Sequence, residues 1–276
     1  LDKSQAIASI GQIELMNLFS NTLAKFKINI SQILLTLEDT EQRRRALNAK
    51  RTFDNLFQLG FVPIVNENDS IATTEIKYGD NDRLASRVAQ ISGADSLILL
   101  SDVDGLYTSD PNLDSKAFHI PVVEEITDEI KIMATEKKSE FSKGGMLTKL
   151  EAAKVSVAAG CHMVIASGVS LSPILSIFEG CKSTWFISSD NPIDSRKQWI
   201  SNTKPKGEIF IDLGAERAIK NGKSLLPAGV TKINGRFLRG DTVVLLSSEG
   251  KVLARGLIGY SYHDVEQIKG CHSSKI

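Results

Sequence analysis

Four polar loops hold most of the side chains in this sequence that can do chemistry. Val65-Asn66-Glu67-Asn68-Asp69 sets four carboxamide or carboxylate side chains in a row behind an apolar run. Such groups can hold the ammonium of an amino acid, or orient a carboxylate through the amides. Asn and Asp also form turns, so a capped turn is the alternative. Gly79-Asp80-Asn81-Asp82 precedes a helical pattern. A helix N-cap accounts well for one of its polar residues and less well for three. Ser101-Asp102-Val103-Asp104-Gly105-Leu106-Tyr107 follows another apolar run, as a nucleotide pocket at a strand end would. Asp-Gly is equally a hairpin signal, and Tyr107 also suits a simple core position. Ser142-Lys143-Gly144-Gly145-Met146-Leu147-Thr148-Lys149 leads into a helix. Its paired glycines let the backbone approach a phosphate, the helix start offers free N–H groups, and Lys143 and Lys149 add positive charge. The GxxxxGK[ST] phosphate loop is absent, and a flexible loop with solvated lysines is the alternative.

The elements around these loops alternate. Gln5 to Leu23 carries Ile10, Ile13, Phe19 and Leu23 at helical spacing, and Ile30 to Leu35 is a short apolar run. Thr40 to Leu59 reads as a charged helix, Phe61 to Val65 as a strand, Asp80 to Ser92 as a helix and Ser96 to Leu100 as a strand. Lys149 to Ala159 is helical again, and Met163 to Ala166 is a further buried run. Short, fully apolar strands between helices predict a parallel sheet covered on both faces. Such sheets bind ligands at the carboxyl ends of their strands, where the loops above lie.

Beyond residue 200 the pattern changes. Ser201-Asn202-Thr203-Lys204-Pro205-Lys206 reads as a linker, placing domains at 1–200 and 207–276. Glu208 to Asp212, Thr242 to Leu246 and Val252 to Arg255 are short strand candidates, punctuated by glycines, with one helix between Gly214 and Asn221. This predicts a small β-rich domain. From Ser201 onward 12 Lys/Arg stand against 7 Asp/Glu, a net charge of +5, and the rest of the chain carries −5.

Composition closes off several classes. The 276 residues are 42% hydrophobic and 24% charged, with no net charge, which excludes a disordered chain and a strongly basic nucleic-acid binder. No apolar run is long enough for a transmembrane helix and no signal segment opens the chain. Cys161, Cys181 and Cys271 are far apart, which suits a reducing cytoplasm. His119, His162, His263 and His272 lack metal-ligand spacing, so no metal site is assigned. Trp185 and Trp199 suit packing, and Glu41, Arg43, Arg44, Arg45 and Lys50 a solvated helix face.

Taken in order, NEND, GDND, SDVDGLYTSDP and GGMLTK, followed by a small β domain, resemble the amino acid kinase family, in the branch that phosphorylates glutamate and carries a C-terminal PUA domain. The resemblance covers nearly the whole chain and is closest from Val62 to Pro111. Ser224-Leu225-Leu226-Pro227-Ala228-Gly229-Val230 resembles the start of the PUA domain. The resemblance implies an α/β fold, an open, mainly parallel sheet in a three-layer αβα sandwich. It implies transfer of the γ-phosphoryl group of ATP, with Mg²⁺, to the γ-carboxylate of L-glutamate, the first step of proline biosynthesis. It also implies that Asp69 and Asn81 contact glutamate and that Asp82 organises the catalytic lysines. By the same resemblance Ser101 and Asp102 lie on the nucleotide. Lys143, Gly144, Gly145, Met146, Leu147, Thr148 and Lys149 then wrap its phosphates, with Lys149 stabilising charge in transfer. A homo-oligomer, a cytoplasmic location, no membrane partner and an RNA contact through the PUA-like part complete the expectation.

The sequence departs from the family pattern in three places. It starts at Leu1, downstream of the family's first strand with its lysine loop and of a second loop that contacts glutamate, which reads as a piece of a longer protein, catalytically impaired on its own. Ser142-Lys143 stands where Gly-Thr is usual. The chain ends at Ile276, where further PUA strands are expected. Other readings are an aspartate or acetylglutamate kinase, an RNA-binding protein, and a non-catalytic chain.

Overall fold

The computed structural model describes residues 2–71, 80–111, 113–135 and 145–271. It divides into two units, Leu1–Ser195 and Arg196–Ile276. In the first, α1 (Asp2–Ala24) leads into β1 (Asn29–Leu35), and α2 (Leu37–Glu41) and α3 (Arg43–Gln58) return the chain to β2 (Phe61–Glu67). Next come α4 (Asp80–Ser92) and β3 (Ser96–Ser101), then three two-residue strands, β4 (Leu106–Tyr107), β5 (His119–Ile120) and β6 (Val122–Val123). The unit continues with α5 (Asp128–Thr135), α6 (Met146–Ala158), β7 (His162–Ser167), α7 (Pro173–Phe178) and β8 (Ser183–Phe186). Helix α8 (Pro192–Asn202) runs across the division.

The strands of the first unit are mainly parallel. β1 and β2 pair parallel from Asn29 opposite Phe61 to Leu35 opposite Glu67. β3 and β7 pair parallel from Ser96 opposite His162 to Ser101 opposite Ser167. β8 runs antiparallel to β7 and parallel to β6, giving the order β3-β7-β8-β6. Among the described residues the β1–β2 pair and this four-stranded sheet are separate ladders.

Both faces of β7 are covered, as its unbroken apolar run requires. Met163 and Ile165 pack with Leu150, Ala152 and Ala153 of α6 and with Phe186. Val164 and Ala166, on the opposite face by strand alternation, pack with Ile177 of α7 and with Trp185. Helix, sheet and helix layers follow directly. A third cluster joins Leu35 of β1 and Phe53 of α3 to Leu84 and Ile91 of α4. Ala85 of α4 packs against the α6–β7 cluster, so this one helix ties the two ladders together.

The expected helix over Thr40–Leu59 is two helices. Thr36 and Asp39 form a capping box, with Asp39 N donating to Thr36 Oγ1 at 3.2 Å and Thr36 N to Asp39 Oδ2 at 2.9 Å, so α2 starts early. Gln42 is extended (φ −71°, ψ 111°), which ends α2 and starts α3.

The second unit holds β9 (Gly207–Ile211), α9 (Leu213–Lys220), a 3₁₀ turn at Pro227–Gly229, β10 (Val230–Gly235), β11 (Thr242–Leu246), β12 (Val252–Leu257) and α10 (Tyr262–Ile268). Its sheet order is β10-β9-β11-β12, with Ile209, Ile211, Ile233, Val243 and Val265 buried together. Asp212 and Ser261 cap α9 and α10, accepting from Ala215 N and Asp264 N. No described helix is long and apolar enough to cross a membrane.

Candidate functional site

The loop after β2 splits its polar residues between two jobs. Asn68 makes the turn: its N–H donates to Leu35 O, and its side chain accepts from Ser70 Oγ at 2.7 Å. The turn reading is correct for this residue. Asn66 instead lines a cavity of about 490 Å³, with Asn81 also on its wall. The rest of that wall is largely apolar, formed by Val65, Leu84, Val88 and Leu97 among others. Asp69 follows, half-buried, at the same carboxyl end of β2.

Helix α4 starts at Asp80, which places Asn81 and Asp82 in its first turn. Asn81 is exposed and Asp82 largely buried. Helix α6 starts after Gly145, its N-cap, which puts Met146, Leu147, Thr148 and Lys149 in the opening turn. A glycine cap offers no side-chain acceptor. Thr148 N donates to Gly145 O at 3.2 Å, and a helix start of this kind is where backbone N–H groups meet an anion. Met146 is buried and Leu147 exposed. The packing of α4 on α6 brings the two starts together. Lys149 Nζ lies 2.9 Å from Asp82 Oδ2, with side-chain exposures of 13% and 19%. Thr148 Oγ1 lies 3.1 Å from the same Asp82 oxygen and 2.9 Å from Gly145 O. The ammonium is held by a carboxylate in a largely buried place, where charges are screened less than in water. Lys143 and Gly144 lie outside the described residues.

Ser101 and Asp102 lie at the carboxyl end of β3. Ser101 Oγ donates to Asp102 Oδ1 at 2.9 Å, and Ser101 O accepts from Gly168 N at 2.7 Å. Among the described residues no hydrogen bond joins them to the Asp82–Lys149 pair. The Asp-Gly signal that follows does not make a tight hairpin. β4 pairs with β5 across the eleven residues between Tyr107 and His119, in the antiparallel match of Leu106 with Ile120 and Tyr107 with His119. Tyr107 is no plain core residue: its hydroxyl donates to Asp104 Oδ2 at 3.1 Å and Lys182 Nζ lies 5.8 Å from its ring centre. Burial first, then the Asp104 carboxylate, raises the Tyr107 pKa, so it stays a neutral donor.

Sequence reasoning missed Gln12, whose Oε1 accepts from Asn66 Nδ2 at 2.8 Å. Gln12 is one of two glutamines in a 23-residue helix, and nothing in its local pattern marks it. It also missed the Ser167-Gly168 corner beside Ser101. There the signal was available, because β7 ends at the same edge of the sheet as β3. Among the described residues no group of three or more His, Cys, Asp or Glu is placed to hold a metal ion.

Both parts of the chain match known families. Residues 1–167 match the model of the amino acid kinase family, and residues 207–276 that of the PUA domain. The chain is 62% identical over 274 residues to a glutamate 5-kinase of Pelagibacter ubique, covering 99% of this chain and 74% of that protein. It is 54% identical over 275 residues to a glutamate 5-kinase of Rhodopseudomonas palustris, covering 99% and 73%. A third glutamate 5-kinase, from Agrobacterium fabrum, is 51% identical over 277 residues, covering 100% and 71%. With α/β layering in the first unit and a small β-rich sheet in the second, the chain belongs to the amino acid kinase family and is a homologue of its glutamate 5-kinases.

Proposed function

We propose that this chain transfers the γ-phosphoryl group of ATP to the γ-carboxylate of L-glutamate, giving γ-glutamyl phosphate, the first step of proline biosynthesis. The observation that carries this reading is the 2.9 Å pairing of Lys149 with Asp82 beside the N-terminus of α6. Phosphoryl transfer depends on in-line positioning and on neutralising charge that moves onto the transferred oxygens. Lys149 supplies a fixed positive charge, and the N-terminal end of α6 supplies the positive end of a helix dipole. Asp82 holds the ammonium in place and leaves the lysine's remaining protons for phosphate oxygens. Ser101 and Asp102, at the end of β3, suit the nucleotide's polar groups.

The acceptor side is the cavity between Asn66 and Asn81, with Asp69 nearby. Carboxamides and a carboxylate suit an amino acid that carries both an ammonium and carboxylates. The γ-carboxylate of glutamate is ionised at neutral pH and needs no general base. One of its oxygens forms the new O–P bond while the β–γ bridging O–P bond breaks and ADP leaves. Mg²⁺ fits this chemistry as a companion of the nucleotide, since it usually binds through phosphates and one or two carboxylates. Bound there, it would supply positive charge to the phosphates alongside Lys149.

The test traps the acyl phosphate. With MgATP, L-glutamate and hydroxylamine, the expected product is the γ-glutamyl hydroxamate, at least from the chain carrying the additional length of its relatives. L-Aspartate and N-acetylglutamate run in parallel separate the other amino acid kinases. Hydroxamate from one of those acceptors alone, or from none with the protein folded, overturns the reading.

The β-rich unit supports a second reading, contact with RNA. It matches the PUA domain, its segment carries the net +5, and Lys232 Nζ lies 5.3 Å from the Phe210 ring centre, a cation beside an aromatic face. Titration with tRNA at two salt concentrations tests it, because phosphate contact weakens as salt rises. Binding that ignores salt, or no binding, removes it.

A further inference from the structure

Two donors on adjacent residues of α6 converge on one oxygen of Asp82. Lys149 Nζ lies 2.9 Å from Asp82 Oδ2, and Thr148 Oγ1 lies 3.1 Å from it. The same hydroxyl lies 2.9 Å from Gly145 O. An ionised carboxylate and a backbone carbonyl both accept, and a threonine hydroxyl has one proton to donate. Donation to Gly145 O is an ordinary contact within one helix turn. Donation to Asp82 joins two helices across 66 residues of sequence. It also goes to a charged acceptor, which makes the stronger bond.

The two donors differ in stiffness. Lysine carries its ammonium on a flexible four-carbon stem. Threonine is short and branched at Cβ, so its hydroxyl has few places to stand. A carboxylate bonded to the lysine alone fixes one distance and leaves both groups free to swing together. A second bond, from the threonine, fixes the direction of the carboxylate and with it the place of the ammonium. The geometry points to Thr148 as a positioning residue, which acts through Asp82 to set where the Lys149 ammonium stands during phosphoryl transfer. This role is distinct from a direct contact of the hydroxyl with phosphate. It rests on the kinase reading above and deepens it, since it adds a third member to the Asp82–Lys149 pair.

The hydroxamate assay tests the inference, run on the chain carrying the additional length of its relatives. The variants are Thr148→Val, Thr148→Ser, Asp82→Ala and the double variant of Thr148→Val with Asp82→Ala. Valine keeps the shape of threonine and removes the hydroxyl. Thr148→Val is expected to lower kcat by roughly tenfold or more, the worth of a hydrogen bond to a charged group, with KM for ATP little changed. Equal losses in kcat and kcat/KM mark an interaction made in the transition state. Thr148→Ser restores the donor and recovers most of the rate. In the Asp82→Ala background the valine substitution costs nothing further, because the group it acts through is gone. Thr148→Ala replaces the valine variant if that one does not fold. The inference falls alone if the wild type is active and Thr148→Val leaves kcat unchanged, or if serine restores nothing. It also falls if the losses from Thr148→Val and Asp82→Ala multiply, the pattern of a hydroxyl that serves only the α6 turn or touches phosphate directly. If the folded wild type traps no hydroxamate from glutamate, the substrate reading falls and takes this inference with it.

Discussion

Lys149 and Asp82 are 67 residues apart in the chain, and their charged atoms lie 2.9 Å apart across the starts of two packed helices. Each residue stands in the first turn of its helix, α6 and α4. A lysine gains nothing from the dipole at a helix N-terminus, where negative charge is preferred. Asp82 offsets that cost, and the result is an ammonium held at the N-terminus of a helix. Such an arrangement is poor for helix stability and well suited to an incoming polyanion.

Replacing Lys149 therefore separates activity from stability. Lys149→Met is expected to slow phosphoryl transfer by roughly a hundredfold or more, the scale of losing one preorganised charge partner in a transition state. It leaves Asp82 largely buried without its cation and costs about 1–3 kcal/mol of stability. Adding Asp82→Asn is expected to recover most of that stability and none of the rate. Steady-state turnover and thermal melts on the three variants check this. A double variant that regains activity would remove Lys149 from the chemistry.

Much of this geometry was legible in the sequence, and what was not has identifiable causes. α4 starts and ends where the polar-then-periodic pattern places it, at Asp80 and Ser92, because strong polar residues open it and Gly93 follows it. β3 and β7 are legible because a strand buried on both faces is a plain apolar run. β10 was missed because its ladder has an irregularity between Val230 and Lys232, so buried Val230 and Ile233 are three residues apart and break strand alternation. Ile10 and Ile13 of α1 are exposed despite their helical spacing, since periodicity reports a face and not what covers it. The Gln12–Asn66 bond depends on tertiary placement, and no local pattern encodes it.

Gly105 admits no side chain. Its φ is +156°, and a Cβ there lies 2.5 Å from Thr184 Oγ1 and 2.7 Å from His119 Nε2. Thr184 Oγ1 already accepts from Leu106 N at 2.7 Å and donates to Ile120 O at 2.6 Å, which anchors the β4–β5 pair to the sheet. Gly105→Ala must strain the backbone and push Thr184 out of both bonds. The expected loss is roughly 1–3 kcal/mol from backbone strain, with the displaced bonds adding to it. A denaturant titration checks this, and an unchanged midpoint shows that the Asp104–Leu106 corner relaxes freely.

Asp39 sets an acid limit on the α2–α3 corner. Burial pushes its carboxyl up, but hydrogen bonds from the Thr36 backbone and hydroxyl and from Arg45 outweigh this and hold its pKa below the ordinary carboxylate value. A lowered folded-state pKa gives stability that is present above the ordinary value and lost as pH falls through the lowered one. Asp39→Asn is expected to cost about 0.5–2 kcal/mol near neutral pH, the range for losing a helix cap. The gap to wild type closes as both are acidified. Melting curves from neutral pH down into the carboxylate range test this, and a gap that widens on acidification contradicts it.

Cys161 and Cys181 differ in accessibility strongly enough to be told apart chemically. Cys181 is exposed. Cys161 is 1% exposed, and burial first, then the Asp95 carboxylate, pushes its thiol up to about 11. The thiolate is the reactive form, so Cys161 is inert at neutral pH in the folded chain. Iodoacetamide is expected to label Cys181 and spare Cys161 until the first unit unfolds, as read by peptide mass after digestion. The same shift gives an alkaline signature. A thiol whose folded pKa is raised contributes stability that is complete below its unfolded value and lost as pH rises toward the folded one. Cys161→Ala is therefore expected to flatten the decline in stability above pH 9, the ordinary thiol value. It also shows a constant loss from the small cavity left in the core. Rapid labelling of Cys161 in the native state would mean that the α6–β7 junction opens on the labelling timescale, and the packing assigned to Met163 and Ile165 would then not be what holds the first unit together.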